Sequence, residues 1–298
     1  MCLAVLALAC PQGQRNLSSE LSQTYLNESD RNEMDWNWVV VANRDEVHDR
    51  PSTDMQPWDD DPQILAGRDL KAGGSWLGVH TDGRFALLTN YREPGKQRAD
   101  APSRGFLVEQ FLRQSVTPET YLDALNPISQ QYNGFNLLIG RDGDWWHASN
   151  RLPGWKQLIG WQETSRSPSA SDPVVSAYGL SNALFDTPWP KVIRTREAVY
   201  QRLLDGRISL DVLADAMRDC EPAPDVELPR TGLALDRERL LSSPFILSPE
   251  YGTRCTTVVM QKRDGSILAQ ETTYFPDGRT KNRSGWCTQG DTWSRIEV

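Results

Sequence analysis

The chain has 298 residues, 38% of them hydrophobic and 24% charged, which is enough for one large domain with a substantial core or for two small ones. Its formal net charge of −8, without a long Lys/Arg run, argues against nucleic acid or an anionic membrane surface as a partner. No run approaches the ~18 apolar residues of a membrane span, so we predict none.

Strand patterns dominate the first ninety residues. The apolar run Cys2–Ala9 predicts a buried strand, and a second strand at Trp38–Ala42 would pair with it as a hairpin that carries a polar loop insertion at residues 12–35. Further strands are predicted at 64–67 and 85–89, and Asp82-Gly83 is a hairpin turn signal.

Helical spacing appears in the middle of the chain, and strand patterns return near its end. Antiparallel strands at both ends with helices between them favour an α+β sandwich over a doubly wound parallel sheet. No composition break defines a second domain, so we predict one domain over residues 1–298. The predicted helices begin near Ser103 and cover 118–125, 190–204 and 209–217, and the predicted strands cover 136–139, 144–148, 256–261 and 267–273.

The cysteines fit a reducing compartment better than a disulfide framework, because they are scattered and form no CxxC pair. The apolar start of the chain has no preceding Lys or Arg, so we expect no secretory signal. We therefore predict a cytoplasmic protein that requires no cofactor and holds no metal. The five cysteines are Cys2, Cys10, Cys220, Cys255 and Cys287.

Cys2 stands directly behind Met1, and this position suggests chemistry. If Met1 is removed, one residue presents a thiol and a free α-amino group, whose unperturbed pKa values are ~8.5 and ~8. The amine is then basic enough to take the thiol proton, as in nucleophiles activated by an N-terminal amine. The alternative is that Cys2 is a small apolar residue in a buried strand, since free cysteines are often buried.

Four polar clusters stand at the ends of apolar runs, where binding and catalytic sites are commonly built. The alternative for each is a turn or a cap, because Asn and Asp favour both. The clusters are Asn43-Arg44-Asp45-Glu46, Leu88-Thr89-Asn90-Tyr91, Tyr178-Gly179-Leu180-Ser181-Asn182 and Tyr251-Gly252-Thr253-Arg254.

With Asn43-Arg44-Asp45-Glu46 as its signature and Met1-Cys2-Leu3 at its start, the chain resembles the NRDE family, which includes the transport and Golgi organisation protein 2 group. The resemblance covers nearly the whole chain apart from the insertion and the C-terminal tail. It extends over the other three clusters and over Arg50-Pro51, Gly73-Gly74-Ser75-Trp76-Leu77-Gly78, Tyr132-Asn133-Gly134-Phe135-Asn136-Leu137 and Thr187-Pro188-Trp189.

The resemblance implies an N-terminal-nucleophile hydrolase fold, a four-layer αββα sandwich of two antiparallel sheets flanked by helices. Cysteine members of that superfamily, such as penicillin V acylase and bile salt hydrolase, hydrolyse linear amides. Their site residues match Cys2, Arg44, Asp45, Asn90, Asn182 and Arg254 of this sequence.

In the implied mechanism, the Cys2 thiolate attacks a carbonyl, and its own amine serves first as base and then as acid. Asp45 orients that amine, and the two arginines favour the thiolate. The two asparagines donate hydrogen bonds to the developing oxyanion.

Three functions remain open at this stage. The first is an N-terminal cysteine amidohydrolase that acts on a small acylated amide or thioester. The second, implied by the resemblance, is a non-catalytic binding or trafficking protein for haem or acyl-CoA, and the third is a structural member with a vestigial pocket.

Other conspicuous side chains are assigned structural roles. The three histidines, His48, His80 and His147, show no ligand spacing, so we expect them at the surface or in caps. Cys255 is expected in the core, because its side chain should point away from that of Arg254. By the same alternation, one of the rings of Trp145-Trp146 should be buried and the other exposed.

Overall fold

The computed structural model describes residues 2–9, 35–159, 175–206 and 208–298. The predicted insertion lies outside the described residues except for Asp35, and so does Cys10. Among the described residues, no helix is long and apolar enough to cross a membrane.

The described residues form two antiparallel sheets of seven strands each. In the first sheet, β1 and β2 pair as the predicted hairpin, and β2 lies between β1 and β11. The strands of this sheet in spatial order are β10 (Val175–Leu180), β1 (Cys2–Ala9), β2 (Trp36–Val47), β11 (Tyr251–Lys262), β12 (Ile267–Tyr274), β13 (Thr280–Gln289) and β14 (Thr292–Ile296).

The second sheet follows chain order from one edge to the other. The predicted turn at Asp82-Gly83 joins β5 to β6, and Gly83 has the positive φ of 89° that such a tight turn requires. The strands are β3 (Gln56–Trp58), β4 (Asp61–Ala66), β5 (Leu77–His80), β6 (Phe85–Asn90), β7 (Phe135–Arg141), β8 (Asp144–Ser149) and β9 (Lys156–Ile159).

Two helices begin at the prolines where the sequence places them, whereas another begins at Gly105 instead of near Ser103 and the helix Leu235–Leu240 had no prediction. Pro118 and Pro190 open these two, at the position where the missing N–H costs nothing, and the predicted bounds 118–125 and 190–204 are confirmed. The described α-helices are α1 (Gly105–Arg113), α2 (Pro118–Leu125), α3 (Pro190–Leu204), α4 (Leu210–Asp215) and α5 (Leu235–Leu240), and 3₁₀ turns cover Asn126–Gln131 and Asp225–Glu227.

Three apolar clusters hold the layers together. Leu3 and Val5 of β1 face α3 and α4, whereas Leu6 faces the second sheet. Between the sheets, Trp38 meets Phe85 and Trp145 edge to face, with ring centroids 5.6 and 5.2 Å apart. The far side of the second sheet is covered by apolar residues of α1 and α2. The predicted four-layer αββα sandwich is therefore confirmed.

In the sequence, the four polar clusters stand at the ends of apolar runs. In the structure, two of the four lie within strands. Asn43-Arg44-Asp45-Glu46 lies inside β2, which extends to Val47, and Tyr251-Gly252-Thr253-Arg254 lies inside β11. A polar residue can stay in a central strand when neighbouring groups satisfy its hydrogen bonds. The sequence also gave no prediction for β13 and β14, whose side chains are largely exposed.

The structural roles assigned from sequence are partly correct. Cys255 and Trp145 are buried, as expected, and Trp146 is half-buried with its indole N–H donating to Asp144. His80 accepts a hydrogen bond from the backbone of Asp82 in the turn, which is a capping role. The prediction of a surface or cap role for His147 is wrong, because this ring is only 1% exposed.

Candidate active site

The pleat of β2 divides the signature between two faces of the first sheet. Val39 and Val41 face the helices, whereas Val40 and Ala42 face the second sheet. Side chains alternate along a strand, so Arg44 continues the inter-sheet face, and Asn43 and Asp45 continue the helix face. The signature therefore supplies residues to both sides of the sheet.

Cys2 shares the inter-sheet face with Arg44. The two residues are direct cross-strand partners in the β1–β2 pair, and such partners project to the same side. On the other side of Arg44, Cys255 of β11 occupies the equivalent partner position. Arg44 thus lies between two buried cysteines at the end of the sheet.

A cavity of about 390 Å³ opens at this end of the molecule. Cys2, Arg44, Asp45 and Asn90 line it, so four of the six predicted site residues meet at one cavity. Its outer rim is formed by segment 98–105, which includes the exposed residues Arg98, Ala99 and Pro102.

Cys2 is poorly exposed, and its burial opposes ionisation of the thiol. Only 9% of the residue is accessible, and burial raises the pKa of the Cys2 thiol. The positive charge of Arg44 opposes that rise. A thiol in this setting remains protonated at neutral pH, so a nucleophilic role requires a base beside it.

Asp45 lies where it can hold such a base. Asp45 follows Arg44, the cross-strand partner of Cys2, and lines the same cavity as Cys2, so its carboxyl lies close to the start of β1. The hydroxyl of Thr253 donates to Asp45 Oδ1 at 2.7 Å. Burial raises the pKa of Asp45, and the charge of Lys191 opposes that rise.

Lys191 is a site-associated residue that the sequence analysis missed. It lies in the first turn of α3 and is only 1% exposed, and Nζ has no hydrogen-bond partner among the described residues. Burial lowers the pKa of Lys191 to about 8, and the Asp45 carboxylate is the strongest charge that favours its protonated form. The available signal was a lysine on the same helical stripe as buried Thr195 and Val199.

A hydrogen bond joins the two predicted asparagines, but only Asn90 lines the cavity. Asn90 lines the cavity, and its side-chain amide makes no hydrogen bond with another described residue. Asn182 is 1% exposed and donates from Nδ2 to the Asn90 carbonyl at 2.9 Å, and its own carbonyl accepts from the Arg92 amide at 2.7 Å. Asn182 therefore fixes the segment that carries Asn90, from a position outside the cavity lining.

Arg254 lies beside the cavity without lining it. The β2–β11 register shifts between Thr253 and Cys255, so Arg254 is an extra residue in a bulge. Its Nη1 donates to the carbonyls of Val47 and Arg50, each at 3.0 Å. Thr253 therefore contacts Asp45. A role of Arg254 in catalysis stays a prediction.

A chain of buried hydrogen bonds connects the second sheet to Cys2. His147 Nε2 lies 3.2 Å from Asn136 Oδ1, and Asn136 Nδ2 donates to Thr89 Oγ1 at 3.1 Å. The Thr89 hydroxyl donates to the Ser181 carbonyl, and the Ser181 hydroxyl donates to the Cys2 carbonyl at 3.1 Å. Burial lowers the pKa of His147 to about 3, so the ring is neutral at pH 7.

The glycine-rich motif at 73–78 shapes the cavity wall. Gly74 has a φ of 71°, and a Cβ there would collide with the backbone of Gly105 at the start of α1. This close approach brings Trp76 to the wall, where the Arg44 guanidinium carbon lies 4.1 Å from the ring centroid. The motif thus positions the aromatic face that orients Arg44.

The cavity wall carries charges of both signs, and four arginines outnumber the three acidic residues. Arg50 pairs with Asp69 at 2.8 Å, whereas neither Arg44 nor Arg104 pairs with a carboxylate in the part of the chain that the structure describes. Arg104 is held instead by the Gly134 carbonyl, to which its Nη1 donates at 2.9 Å. The described residues contain no group of three or more His, Cys, Asp or Glu side chains that could hold a metal ion.

Comparison with protein families gives one assignment. The family described as Transport and Golgi organisation 2 matches residues 25–276, which confirms the family predicted from the sequence. The bovine Transport and Golgi organization protein 2 homolog is 32% identical over 252 residues, covering 78% of this chain and 85% of the bovine protein. The human homolog is 30% identical over 266 residues, covering 84% and 90%.

Comparison with solved structures gives a much weaker similarity. A crystal structure of a mutant conjugated bile acid hydrolase from Clostridium perfringens aligns over 93% of this chain and 97% of that chain. The TM-score is 0.42 and the sequence identity 9%, and a similarity of this extent supports no inference about activity.

Proposed function

The chain belongs to the Transport and Golgi organisation 2 family, and from this premise we propose that it is an N-terminal cysteine amidohydrolase acting on a small acylated amide or thioester. The observation that supports this proposal most is the meeting of Cys2, Arg44 and Asp45 at one cavity. The pocket therefore combines a thiol, a cation and a carboxylate that would hold the amine of the same cysteine.

The proposed reaction proceeds in two steps. After removal of Met1, the α-amine takes the thiol proton, and Cys2 Sγ attacks the substrate carbonyl carbon. The bond to the leaving nitrogen or sulfur breaks, and the ammonium returns its proton to that leaving atom. Water then hydrolyses the resulting thioester with the same amine as base, which releases a carboxylic acid and restores the thiol.

Preorganised groups around the thiol would assist these steps. The Arg44 charge favours the thiolate, since it opposes the burial effect on the Cys2 pKa. Asn90 lines the same cavity and its side-chain amide would donate to the oxyanion, while Asn182 keeps the Asn90 segment in place. Loss of one oxyanion donor typically costs ~10²–10³ in rate. A reducing, cytoplasmic location would keep the thiol free.

The alternative is a carrier that binds acyl-CoA or haem without cleaving a bond. Arg44 and Arg104, unpaired by carboxylates among the described residues, favour a phosphate-bearing ligand such as acyl-CoA. Haem has less support, because no histidine is among the residues that line the cavity.

Mass spectrometry of the intact protein separates the two functions. The enzyme proposal expects a mass without Met1 and a covalent acyl adduct on Cys2 after reaction with an activated amide or thioester. Retention of Met1, or an unmodified Cys2 with every acylating probe, contradicts it. Saturable binding of acyl-CoA or haem to wild type and to Cys2→Ala alike, with no turnover, would favour the carrier.

A further inference from the structure

A second, much smaller recess adjoins Cys2 on its inter-sheet side. Its volume is about 10 Å³, which is roughly the space of one water molecule or one methyl group. The apolar side chains that enclose it come from both sheets and are at most 7% exposed. They are Ala42 of β2, Leu77 of β5 and Leu87 of β6, and Asn43, Trp76 and Thr257 also line the recess.

Four residues, among them Cys2 and Arg44, line both the recess and the large cavity, so Cys2 lies at the junction of two compartments. The large cavity carries charged and amide groups and is rimmed by the exposed residues Arg98 and Ala99. The recess is smaller and less open, and buried leucines and an alanine form its apolar part. The two compartments therefore differ in size, polarity and access to solvent.

The order of events in acyl transfer determines which part of a substrate suits each compartment. The leaving group departs before water attacks the acyl-enzyme, so it has to occupy the compartment that opens to solvent. The acyl group stays attached to Cys2 Sγ during that exchange, so the less open compartment can hold it. The recess fits the acyl side of the scissile bond, and the large cavity fits the leaving amine or thiol.

We infer that the recess is the acyl subsite and that it limits the substrate to a short acyl group, of formyl or acetyl size. This inference rests on the proposed function and specifies its substrate class. Interiors are close-packed, and added methylenes force neighbouring side chains out of place. Leu87 sets the limit, because it is 2% exposed in the inter-sheet core and lines the recess.

The test is a chain-length series on the full protein lacking Met1. The probes are the 4-nitrophenyl esters of acetate, butyrate and octanoate, and the readout is the rate of adduct formation on Cys2 by intact mass. We expect acetylation to exceed butyrylation at least ~10-fold, a typical discrimination by an apolar pocket, and octanoylation to be slower still.

Two substitutions test the role of the recess directly. Leu87→Val enlarges it and is expected to raise the butyryl-to-acetyl ratio at least ~10-fold. Leu65→Val removes the same methylene from the same inter-sheet core without lining the recess, so its ratio should match wild type. If Leu87→Val does not fold, Ala42→Val narrows the recess from β2 and should slow acetylation at least ~10-fold.

The outcomes separate this inference from the proposed function. No adduct with any ester would contradict the proposed function itself. Adducts on Cys2 that form equally fast with acetyl and octanoyl groups would leave the proposed function intact and overturn the short-acyl inference. An unchanged ratio in Leu87→Val, or an equal change in Leu65→Val, would overturn it as well.

Discussion

The two faces of β2 carry one signature but differ in what their residues contact. On the helix face, Asn43 donates from Nδ2 to the carbonyls of Met217 and Pro244, each at 3.0 Å, and accepts from Thr256. On the inter-sheet face, Arg44 meets a thiol and an aromatic ring at a cavity. The helix face of β2 therefore anchors the strand to neighbouring segments, whereas its inter-sheet face carries the proposed chemistry.

This difference teaches that a contiguous signature need not form a contiguous site. Asp45 links the two faces, because it faces the helix side with Thr253 and Lys191 yet also lines the cavity at the strand end. We expect substitutions on the inter-sheet face to affect reactivity, and those on the helix face to affect mainly stability. The predictions below test that division.

The largest effect is expected for the thiol itself. Cys2→Ala should reduce acylation by more than ~10³-fold, because no other described residue of the cavity supplies a nucleophilic thiol. Cys255→Ala is the matched control, since Cys255 is buried and pairs with Arg44 from the other side but does not line the cavity. Adduct formation by intact mass checks both variants, and loss of reactivity in Cys255→Ala would contradict the assignment to Cys2.

Asp45→Asn should reduce stability, because it removes the carboxylate that most favours the charged form of buried Lys191. Lys191, whose pKa is about 8, can release its proton when that carboxylate is lost, so we expect a loss of about 1–2 kcal/mol. The double substitution Asp45→Asn with Lys191→Met should regain part of that stability but not the acylation rate. Urea denaturation and adduct kinetics measure the two quantities, and recovery of both would contradict a role of Asp45 at the site.

Two adjacent substitutions compare the faces directly. Asn43→Ala leaves two buried carbonyls without their donor, so unfolding free energy should fall by about 1–3 kcal/mol for each lost partner. Arg44→Gln should instead slow acylation ~10-fold for each unit by which the Cys2 pKa rises, and shift the pH–rate profile upward. The reverse pattern, with Arg44→Gln affecting only stability, would refute the division between faces.

The smallest effect concerns pH. The pKa of His147 falls from its ordinary 6.5 to about 3 on burial, so below pH 6.5 the unfolded chain binds a proton that the folded ring does not. Stability is therefore lost progressively from pH 6.5 down to 3, by about 2 kcal/mol at pH 5. Urea denaturation at pH 7 and pH 5 checks this, and His147→Gln should show a smaller difference between the two pH values. An unchanged difference would mean that other groups cause it.

The sequence by itself determined the α+β class, the bounds of several elements and much of the candidate site, and the family resemblance implied the layer order. The bounds of β1, α2 and α3 follow from apolar periodicity and from prolines at helix starts, which are local signals. The proximity of Cys2 to Arg44 follows from the hairpin that was predicted for their strands. The family assignment rested on motifs that lie along the whole chain.

Only the tertiary structure decided how the polar residues divide around the site. Lys191 looks like an ordinary helix residue until α3 packs on the first sheet and buries it beside Asp45. Arg254 is displaced by a bulge whose position depends on pairing between β2 and β11, strands that are far apart in sequence. Asn182 turns to the Asn90 carbonyl across the two sheets. Register, bulges and burial arise from long-range contacts, so local residue patterns do not specify them.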